Sequence, residues 1–249
     1  DIDFGTIDIS GIETLVLTAS DSDTSLATGG GVDLVTLEVT DTSLKSVVAS
    51  GSASLDLTVG AAVTTIDGSG LTGSLTVASN GAAAAATTIT GGAGADELTA
   101  NGNGDILKGG AGNDDLIVKG DLVTLTGGAG ADVFDVSNAT SNSNTYATIT
   151  DLAAGDKILL DVDTKDFASA AVTLASTASF DAYVNAAIAA GGQDGAAWFK
   201  FGGDTYVVQN VGAASAAFEN GTDIIAKIEG TYNLATAALN TDSNWLVVG

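Results

Sequence analysis

The chain has 249 residues, and its 31 acidic side chains against seven lysines give a formal net charge of -24. It contains no Cys, His, Pro, Met or Arg, which excludes disulfides, thiolate zinc sites, catalytic cysteines, imidazole bases and arginine fingers. A charge of this sign also opposes binding to nucleic-acid phosphate and anionic lipid, so neither is expected as a direct partner.

The composition is that of a folded chain with an affinity for cations. It holds 33 Gly and 45% apolar residues, and no apolar run reaches the length of about 18 residues that a membrane span needs. Of the acidic residues, 26 are Asp, a short oxygen ligand that fits tight glycine turns, and calcium is the first candidate cation. The chain opens on Asp1 without an initiator Met or the features of a signal peptide, so we expect a fragment or a processed product.

Residues 1–90 read as short strands separated by Gly, Ser, Asp and Asn. The clearest strands are 14–18, 34–39 and 74–77. A nine-residue spacing connects five apolar residues and supports coils of a β-solenoid; these are Val39, Val48, Leu57, Ile66 and Leu75. The spacing breaks before Ile89, where Gly81 and the run 82–86 add five residues, and a loop or short helix is expected there.

Residues 91–135 form five consecutive nine-residue repeats. The first (91–99), third (109–117) and fifth (127–135) match G-G-x-G-x-D-x-U-x in full, and the second (100–108) and fourth (118–126) are degraded. This repeat is a signature of calcium-binding β-helices. Its apolar position predicts an inner row made of Ile89, Leu98, Leu107, Leu116, Leu125 and Phe134.

The chemistry of the repeat predicts where calcium binds. Glycines let backbone carbonyls turn toward one point, and the Asp adds a charged oxygen. Two repeats make one turn, so we expect one site between Asp96 and Asp114 and a second between Asp114 and Asp132. On the opposite edge Asp105 faces Val123, which predicts a poor third site. The backbone ligands predicted beside these carboxylates are Gly91, Ala93, Gly94, Gly109, Ala111, Gly112, Gly127, Ala129 and Gly130.

The segment 91–135 resembles the RTX β-roll, the hemolysin-type calcium-binding repeat of bacterial proteins exported by type I secretion. Residues 64–77 and 87–94, with the phrase Gly11-Ile12-Glu13-Thr14-Leu15-Val16-Leu17, are similar to Thr/Ala-rich RTX-type surface-layer proteins of Gram-negative bacteria such as Caulobacter and Campylobacter. The resemblance implies a secreted protein of the cell surface and self-association into a lattice. It also implies passage through type I secretion machinery, and contact with cell-surface polysaccharide through a region outside this chain.

The part after the repeats reads as a cap. Residues 147–160 resemble the strand pair that closes RTX rolls, and 178–190 carry apolar residues at helical spacing. Residues 197–209 predict a β-hairpin turning at Gly202-Gly203-Asp204, and 221–230 predict a further strand. The apolar residues 245–248 suit an uncleaved C-terminal export signal. The simpler interpretation of 165–249 is that these residues are a folded end cap.

These patterns predict an all-β fold, a right-handed parallel β-solenoid with an RTX calcium β-roll, capped by a small β-rich region with one short helix. The expected divisions are 1–90, 91–135 and 136–249. No catalytic motif is present, and most Asp pairs are explained by solvation or calcium, so an enzyme is not expected. The alternatives are an RTX adhesin or matrix filament subunit, and the calcium and secretion module of an enzyme whose catalytic domain lies outside this chain.

Overall fold

The computed structural model of the protein describes residues 2–7, 10–20, 34–81, 85–139, 143–161, 164–212, 215, 217–240 and 245–249. Strands account for 45% of the chain and helices for 7%, and the strands wind into a parallel β-solenoid of about six turns. The all-β class and the solenoid are therefore confirmed. The right-handed sense of winding stays a prediction.

The chain divides into two compact units. The N-terminal unit comprises Asp1–Ile117 with Gly127–Asp132, and the C-terminal unit comprises Val118–Thr126 with Val133–Gly249. The division into 1–90, 91–135 and 136–249 stays a prediction. The strands up to the third repeat are β1 (Ile2–Ile7), β2 (Thr14–Thr18), β3 (Leu34–Val39), β4 (Ser46–Gly51), β5 (Ser54–Val59), β6 (Thr65–Leu71), β7 (Leu75–Ala78), β8 (Thr88–Thr90), β9 (Glu97–Ala100), β10 (Ile106–Ala111) and β11 (Asp115–Val118).

Consecutive strands of the N-terminal unit alternate between two sheets. The odd-numbered strands follow the order β1-β3-β5-β7-β9-β11 in one sheet, and the even-numbered strands follow β10-β8-β6-β4-β2 in the other. The pairs β3 with β5 and β4 with β6 are parallel, as are β7 with β9 and β8 with β10. Each turn of the solenoid thus contributes one strand to each sheet, and inward side chains of both sheets meet in a single core.

The inner row predicted from the repeats is confirmed. Its six members have no exposed surface in the structure; they are Ile89, Leu98, Leu107, Leu116, Leu125 and Phe134. Each faces the interior because side chains of a strand alternate between its two faces. Burial of a Leu or Ile side chain contributes roughly 1.5–3 kcal/mol, which makes this row the main apolar support of the repeat region.

The predicted row in residues 39–75 is wrong at one position. Val47, not Val48, is buried, and Val47 pairs with Ile66 while Val48 pairs with Asp67. A one-residue slip exchanges the two faces of a strand, so Val48 lies on the outer face. The other four residues of that row are buried in the core.

The slip follows from coil length. Leu55 pairs with Leu75, an interval of 20 residues, whereas Ile89 pairs with Leu107, an interval of 18. The coil from Ile66 to Ile89 spans 23 residues, five more than 18, as the break in spacing predicts. Residues 82–84 of the expected loop or helix lie outside the described residues. Strict nine-residue spacing therefore holds only where the glycine repeats set the length of both turns.

The C-terminal unit holds the remaining elements. Its strands are β12 (Thr124–Ala129, shared with the N-terminal unit), β13 (Val133–Asp135), β14 (Ala147–Ile149), β15 (Lys157–Leu159), β16 (Asp166–Phe167), β17 (Gly195–Phe201), β18 (Asp204–Gln209), β19 (Ile224–Ile228), β20 (Ala238–Asn240) and β21 (Trp245–Val247). The helix α1 spans Phe180–Gly191, and a 3-10 turn spans Leu234–Thr236.

The solenoid ends in the C-terminal unit by changing from parallel to antiparallel pairing. β14 pairs parallel with β12 and β19, and β18 then pairs antiparallel with β19 and β17. In the other sheet, β15 pairs parallel with β13 and antiparallel with β21. The predicted strand pair in 147–160 is thus two strands in different sheets, and together they add a coil. The hairpin is confirmed, with Gly202 and Gly203 as its two-residue turn.

The helix α1 covers one face of the hairpin. Ser179 caps its start, accepting a hydrogen bond from the Ala182 N–H, and Val184, Ala187 and Ile188 are buried beneath it. Rings of Phe180, Tyr183, Phe199, Phe201, Tyr146 and Tyr206 pack around this core. Among the described residues, no helix has the length and apolar character to cross a membrane.

Candidate metal centre

The three Asp residues of the full repeats lie buried at one edge of the solenoid. Asp96, Asp114 and Asp132 are at most 2% exposed, and each closes the turn that precedes a strand. The Asp96 N–H donates to Asp114 Oδ1 at 2.9 Å, and the Asp114 N–H donates to Asp132 Oδ1 at 2.9 Å. Every carboxylate is thereby held against the turn stacked before it, as the interval of eighteen residues predicts. We call residues 91–96, 109–114 and 127–132 the stacked turns.

Glycine at the start of each stacked turn makes room for oxygen atoms. A Cβ added to Gly109 would overlap Asp114 Oδ2 and approach the carbonyl oxygen of Gly127, and one added to Gly91 would overlap Asp96 Oδ2 and the carbonyl oxygen of Gly109. The first glycine of a turn therefore faces both its own Asp and a carbonyl of the next turn. Any side chain there would fill the space in which these oxygens meet.

The Asp114 carboxylate is only partly satisfied by the protein. Its Oδ2 is buried and has no hydrogen-bond partner. Burial raises the pKa of Asp114 to about 7, the negative charges of Asp96, Asp132 and Asp115 act in the same direction, and the Asp96 N–H opposes them. A buried oxygen without a donor costs roughly 1–3 kcal/mol, and more when it is charged. The site accordingly calls for a cation or a proton at Asp114.

The other predicted backbone ligands lie in the same stack. The Ala111 N–H donates to the Gly92 carbonyl and the Gly112 N–H donates to the Ala129 carbonyl, both at 2.9 Å. A carbonyl oxygen has two lone pairs, so these bonds leave acceptor capacity. Gly94 also belongs to the stack, since a Cβ added to Gly112 would overlap its carbonyl oxygen. The remaining candidates, Ala93, Gly127 and Gly130, complete the first and last stacked turns.

The available donors suit a hard cation. They are carboxylate and carbonyl oxygens, and Ca²⁺ takes six to eight oxygen ligands of these kinds. Among the residues that the structure describes, no three acidic side chains come together as a metal-binding group. A cation bound in the stacked turns would therefore draw most of its ligands from backbone carbonyls. The orphaned Asp114 oxygen and the glycine space beside it fit such an ion.

Asp105, the predicted weak ligand on the opposite edge, is fully engaged with the protein. It is 1% exposed, its Oδ1 accepts from the Thr87 N–H at 2.7 Å, and its Oδ2 accepts from the Ser79 hydroxyl at 2.5 Å and the Gly102 N–H at 2.8 Å. Val123 on that edge is buried. Three donors satisfy Asp105 without a metal, which gives this residue a structural role that its repeat position alone does not indicate.

One residue at an equivalent position was missed by the sequence patterns. Asp156 directly precedes β15, as Asp132 directly precedes β13, and it is 2% exposed. Its Oδ2 accepts from the Ala153 N–H at 2.7 Å. The repeat pattern does not reach Asp156 because the turn before it lacks the paired glycines. The sequence signal that could have found it is the dipeptide Gly155-Asp156 directly before β15.

A shallow groove of about 430 Å³ lies on the outer face of β5, β7 and β9. Asp56 and Glu97 line it, two strands apart, with Thr76 between them in register. These two carboxylates are separate from the stacked turns.

No family model matches this chain, and no curated protein sequence matches it.

Proposed function

We propose that the chain is a secreted structural protein of the RTX surface-layer type, which folds and self-assembles on the cell exterior when calcium binds the stacked turns. The single observation that carries the proposal is the buried Asp114 Oδ2, which lacks a partner and lies, with the Gly127 carbonyl oxygen, beside the position that a Cβ at Gly109 would fill. The binding residues in this proposal are Asp114 and Asp132 with backbone oxygens of 109–112 and 127–130.

The proposed mechanism is electrostatic. The stacked turns hold carboxylates in a protein of net charge -24, and their glycines lose more conformational entropy on folding than other residues do. A bound calcium ion supplies positive charge and oxygen coordination, and its binding free energy adds to the folding free energy. Extracellular modules bind calcium at about 0.1 to 1 mM, so the stacked turns that need calcium would become ordered only after export.

Two features outside the stacked turns support a structural role. The chain lacks His, Cys and Arg, the residues most used for acid–base, nucleophilic and phosphate chemistry. The described strands of its N-terminal unit form two parallel sheets, a regular arrangement suited to a structural role. Self-association and export through type I secretion machinery rest on the resemblance of residues 11–135 and of the C-terminal region to that family.

A calcium titration separates folding from assembly and tests the proposal. Circular dichroism and light scattering are followed together on the purified chain from chelator to about 10 mM calcium, with magnesium as the ion control. We expect a gain of β signal near 0.1 to 1 mM calcium and a later rise in scattering. The Asp114→Ala variant should lose both, and Asp115→Ala, an exposed neighbour with the same charge, should keep both. A fully formed β signal in chelator, unchanged by calcium, would contradict the proposal.

The enzyme alternative, in which this chain is the calcium and secretion module of an enzyme whose catalytic domain lies outside it, has its own test. Under that alternative the chain stays monomeric when calcium is added, whereas the structural proposal expects association. Light scattering during the calcium titration separates the two outcomes.

A further inference from the structure

Two identical hexapeptides of the stacked turns adopt different backbone conformations. Residues 91–96 and 127–132 both read Gly-Gly-Ala-Gly-Ala-Asp. Gly128 and Gly130 have φ angles of 103° and 153°, whereas Gly92 and Gly94 lie outside the left-handed region. Since the sequences are the same, the difference comes from what each turn stacks on.

The first stacked turn rests on a coil that carries no repeat. The Ala93 N–H donates to the Leu71 carbonyl at 2.9 Å, and the Leu75 N–H donates to Asp96 Oδ1 at 2.7 Å. Within the turn, the Gly92 N–H donates to Asp96 Oδ2 at 2.6 Å. Both oxygens of Asp96 are therefore occupied by protein donors.

The second stacked turn is built differently. β10 continues through Gly109 and Gly110 to Ala111, while β8 ends at Thr90, before the first stacked turn begins. Gly110 has a φ angle of 114°, and Asp114 Oδ2 receives no donor. The third turn shares the left-handed glycines of the second. Among the described stacked turns, the second leaves a buried carboxylate oxygen, Asp114 Oδ2, without a protein partner.

At the opposite edge of the coil 91–108, Asp105 accepts three hydrogen bonds from the protein. The coil 91–108 thus has an engaged carboxylate at each of its two turns. Such a coil can fold on the preceding strands with no ion bound.

We infer that the coil 91–108 is a metal-independent template on which the calcium-dependent coils from residue 109 assemble. The inference rests on the proposed function and deepens it by assigning different roles to repeats of equal sequence. Asp96 and Asp105 lock the template to the solenoid through N–H and hydroxyl donors. Asp114, with one buried oxygen that no protein donor reaches, requires the cation. With calcium bound, the later coils add to the edge of a solenoid that is already folded. They therefore do not have to nucleate on their own.

Amide hydrogen exchange on the full chain tests the inference. In chelator we expect amides of residues 46–100, including those of Leu75 and Gly92, to be protected, and amides of 111–131 to exchange freely. Calcium should slow exchange in 111–131 at least about tenfold and change 46–100 little. Protection that develops in both segments together only on adding calcium would overturn the template and leave the calcium proposal standing. Full protection of both segments in chelator, unaffected by calcium, would overturn both.

Thermal melts of two variants give a second readout. Asp96→Ala removes the acceptor of two N–H groups, so it should lower the melting temperature in chelator and in calcium alike. Asp114→Ala should leave the melting temperature in chelator unlowered and abolish the gain that calcium brings. Equal effects of the two variants in chelator would contradict the separate roles. If Asp96→Ala does not fold, the exchange pattern of the wild-type chain still decides the question.

Discussion

Four buried aspartates of the repeat region share a residue type and a burial but differ in their partners. Asp105 accepts three hydrogen bonds from the protein, and Asp96 accepts two. Asp114 has one oxygen bonded to the Asp96 N–H and one with no partner. Whether a buried carboxylate stabilises the fold or requires an ion is therefore decided by the number of donors that reach it.

The first prediction separates these roles at Asp114 and Asp105. Asp114→Ala should weaken calcium binding at least roughly tenfold, measured by isothermal titration calorimetry. Asp105→Ala should leave calcium affinity unchanged, as its repeat position also predicts. The variant leaves three buried donors without their acceptor, so it should lower the free energy of unfolding by about 1–3 kcal/mol. A tenfold loss of calcium affinity in Asp105→Ala would show that the opposite edge binds metal as well.

The second prediction concerns pH in the absence of calcium. The pKa of Asp114 is about 7 in the folded chain and about 4 in an unfolded one, so the folded state holds the proton over this interval. Stability contributed by that protonated group is complete below pH 4 and declines as pH rises toward 7.

Urea unfolding of wild type and Asp114→Asn in chelator measures this decline directly. The stability of wild type relative to Asp114→Asn should fall between about pH 4 and 7 and stay level above. Because Asn does not titrate, the other carboxylates cancel in the comparison. A difference that is constant with pH would mean that the pKa of Asp114 is the same in the folded and the unfolded chain.

At the scale of elements, the sequence predicts most where glycine sets the coil length. The inner row from Ile89 to Phe134 is correct at all positions because every repeat spends nine residues on one strand and one turn. Earlier coils vary from 19 to 33 residues, and Val48 was placed inward because turns of variable length shift the register. Where a turn lacks a fixed glycine pattern, the spacing of apolar residues does not reveal how many residues the turn contains.

The candidate site was predicted in outline but not in its internal differences. The stacking of Asp96, Asp114 and Asp132 follows from their spacing. The donors from Leu75, Ser79 and Thr87 do not, because they come from coils that lack the repeat and reach the carboxylates only through the sheet register. Long-range hydrogen bonds of this kind depend on coil lengths that the sequence leaves undefined.

The third prediction tests the stacked turns as an element. A Cβ at Gly130 would overlap the Gly112 carbonyl oxygen, and its φ angle of 153° is unfavourable for other residues. Gly130→Ala should lower the free energy of unfolding in calcium by at least about 2 kcal/mol and reduce the stabilisation by calcium. Gly203→Ala is the matched control: it has a φ angle of 100° in open space, so it should cost about 1–2 kcal/mol without altering the calcium response. Equal calcium responses in the two variants would contradict close stacking at Gly130.

At the scale of the whole molecule, charge and architecture act in opposite directions. A net charge of -24 keeps separate chains apart at low ionic strength, while the two parallel sheets of the N-terminal unit present surfaces for lateral contact. Because added salt screens exposed charges regardless of ion type, a sodium chloride series distinguishes general screening from a specific requirement for calcium. If screening alone were enough for association, sodium chloride would replace calcium.

The last prediction follows for assembly. In negative-stain electron microscopy, the purified chain with millimolar calcium should form ordered planar arrays, and it should not form them in chelator, in magnesium or in sodium chloride of matched ionic strength. Asp114→Ala should form none in any condition, and Asp115→Ala should behave as wild type. Linear or sparse assemblies would favour the adhesin or filament alternative, and monomers in calcium would favour the module of a larger enzyme. Either result would contradict the surface lattice, and the calcium-driven folding of the stacked turns would still be decided by the circular dichroism titration.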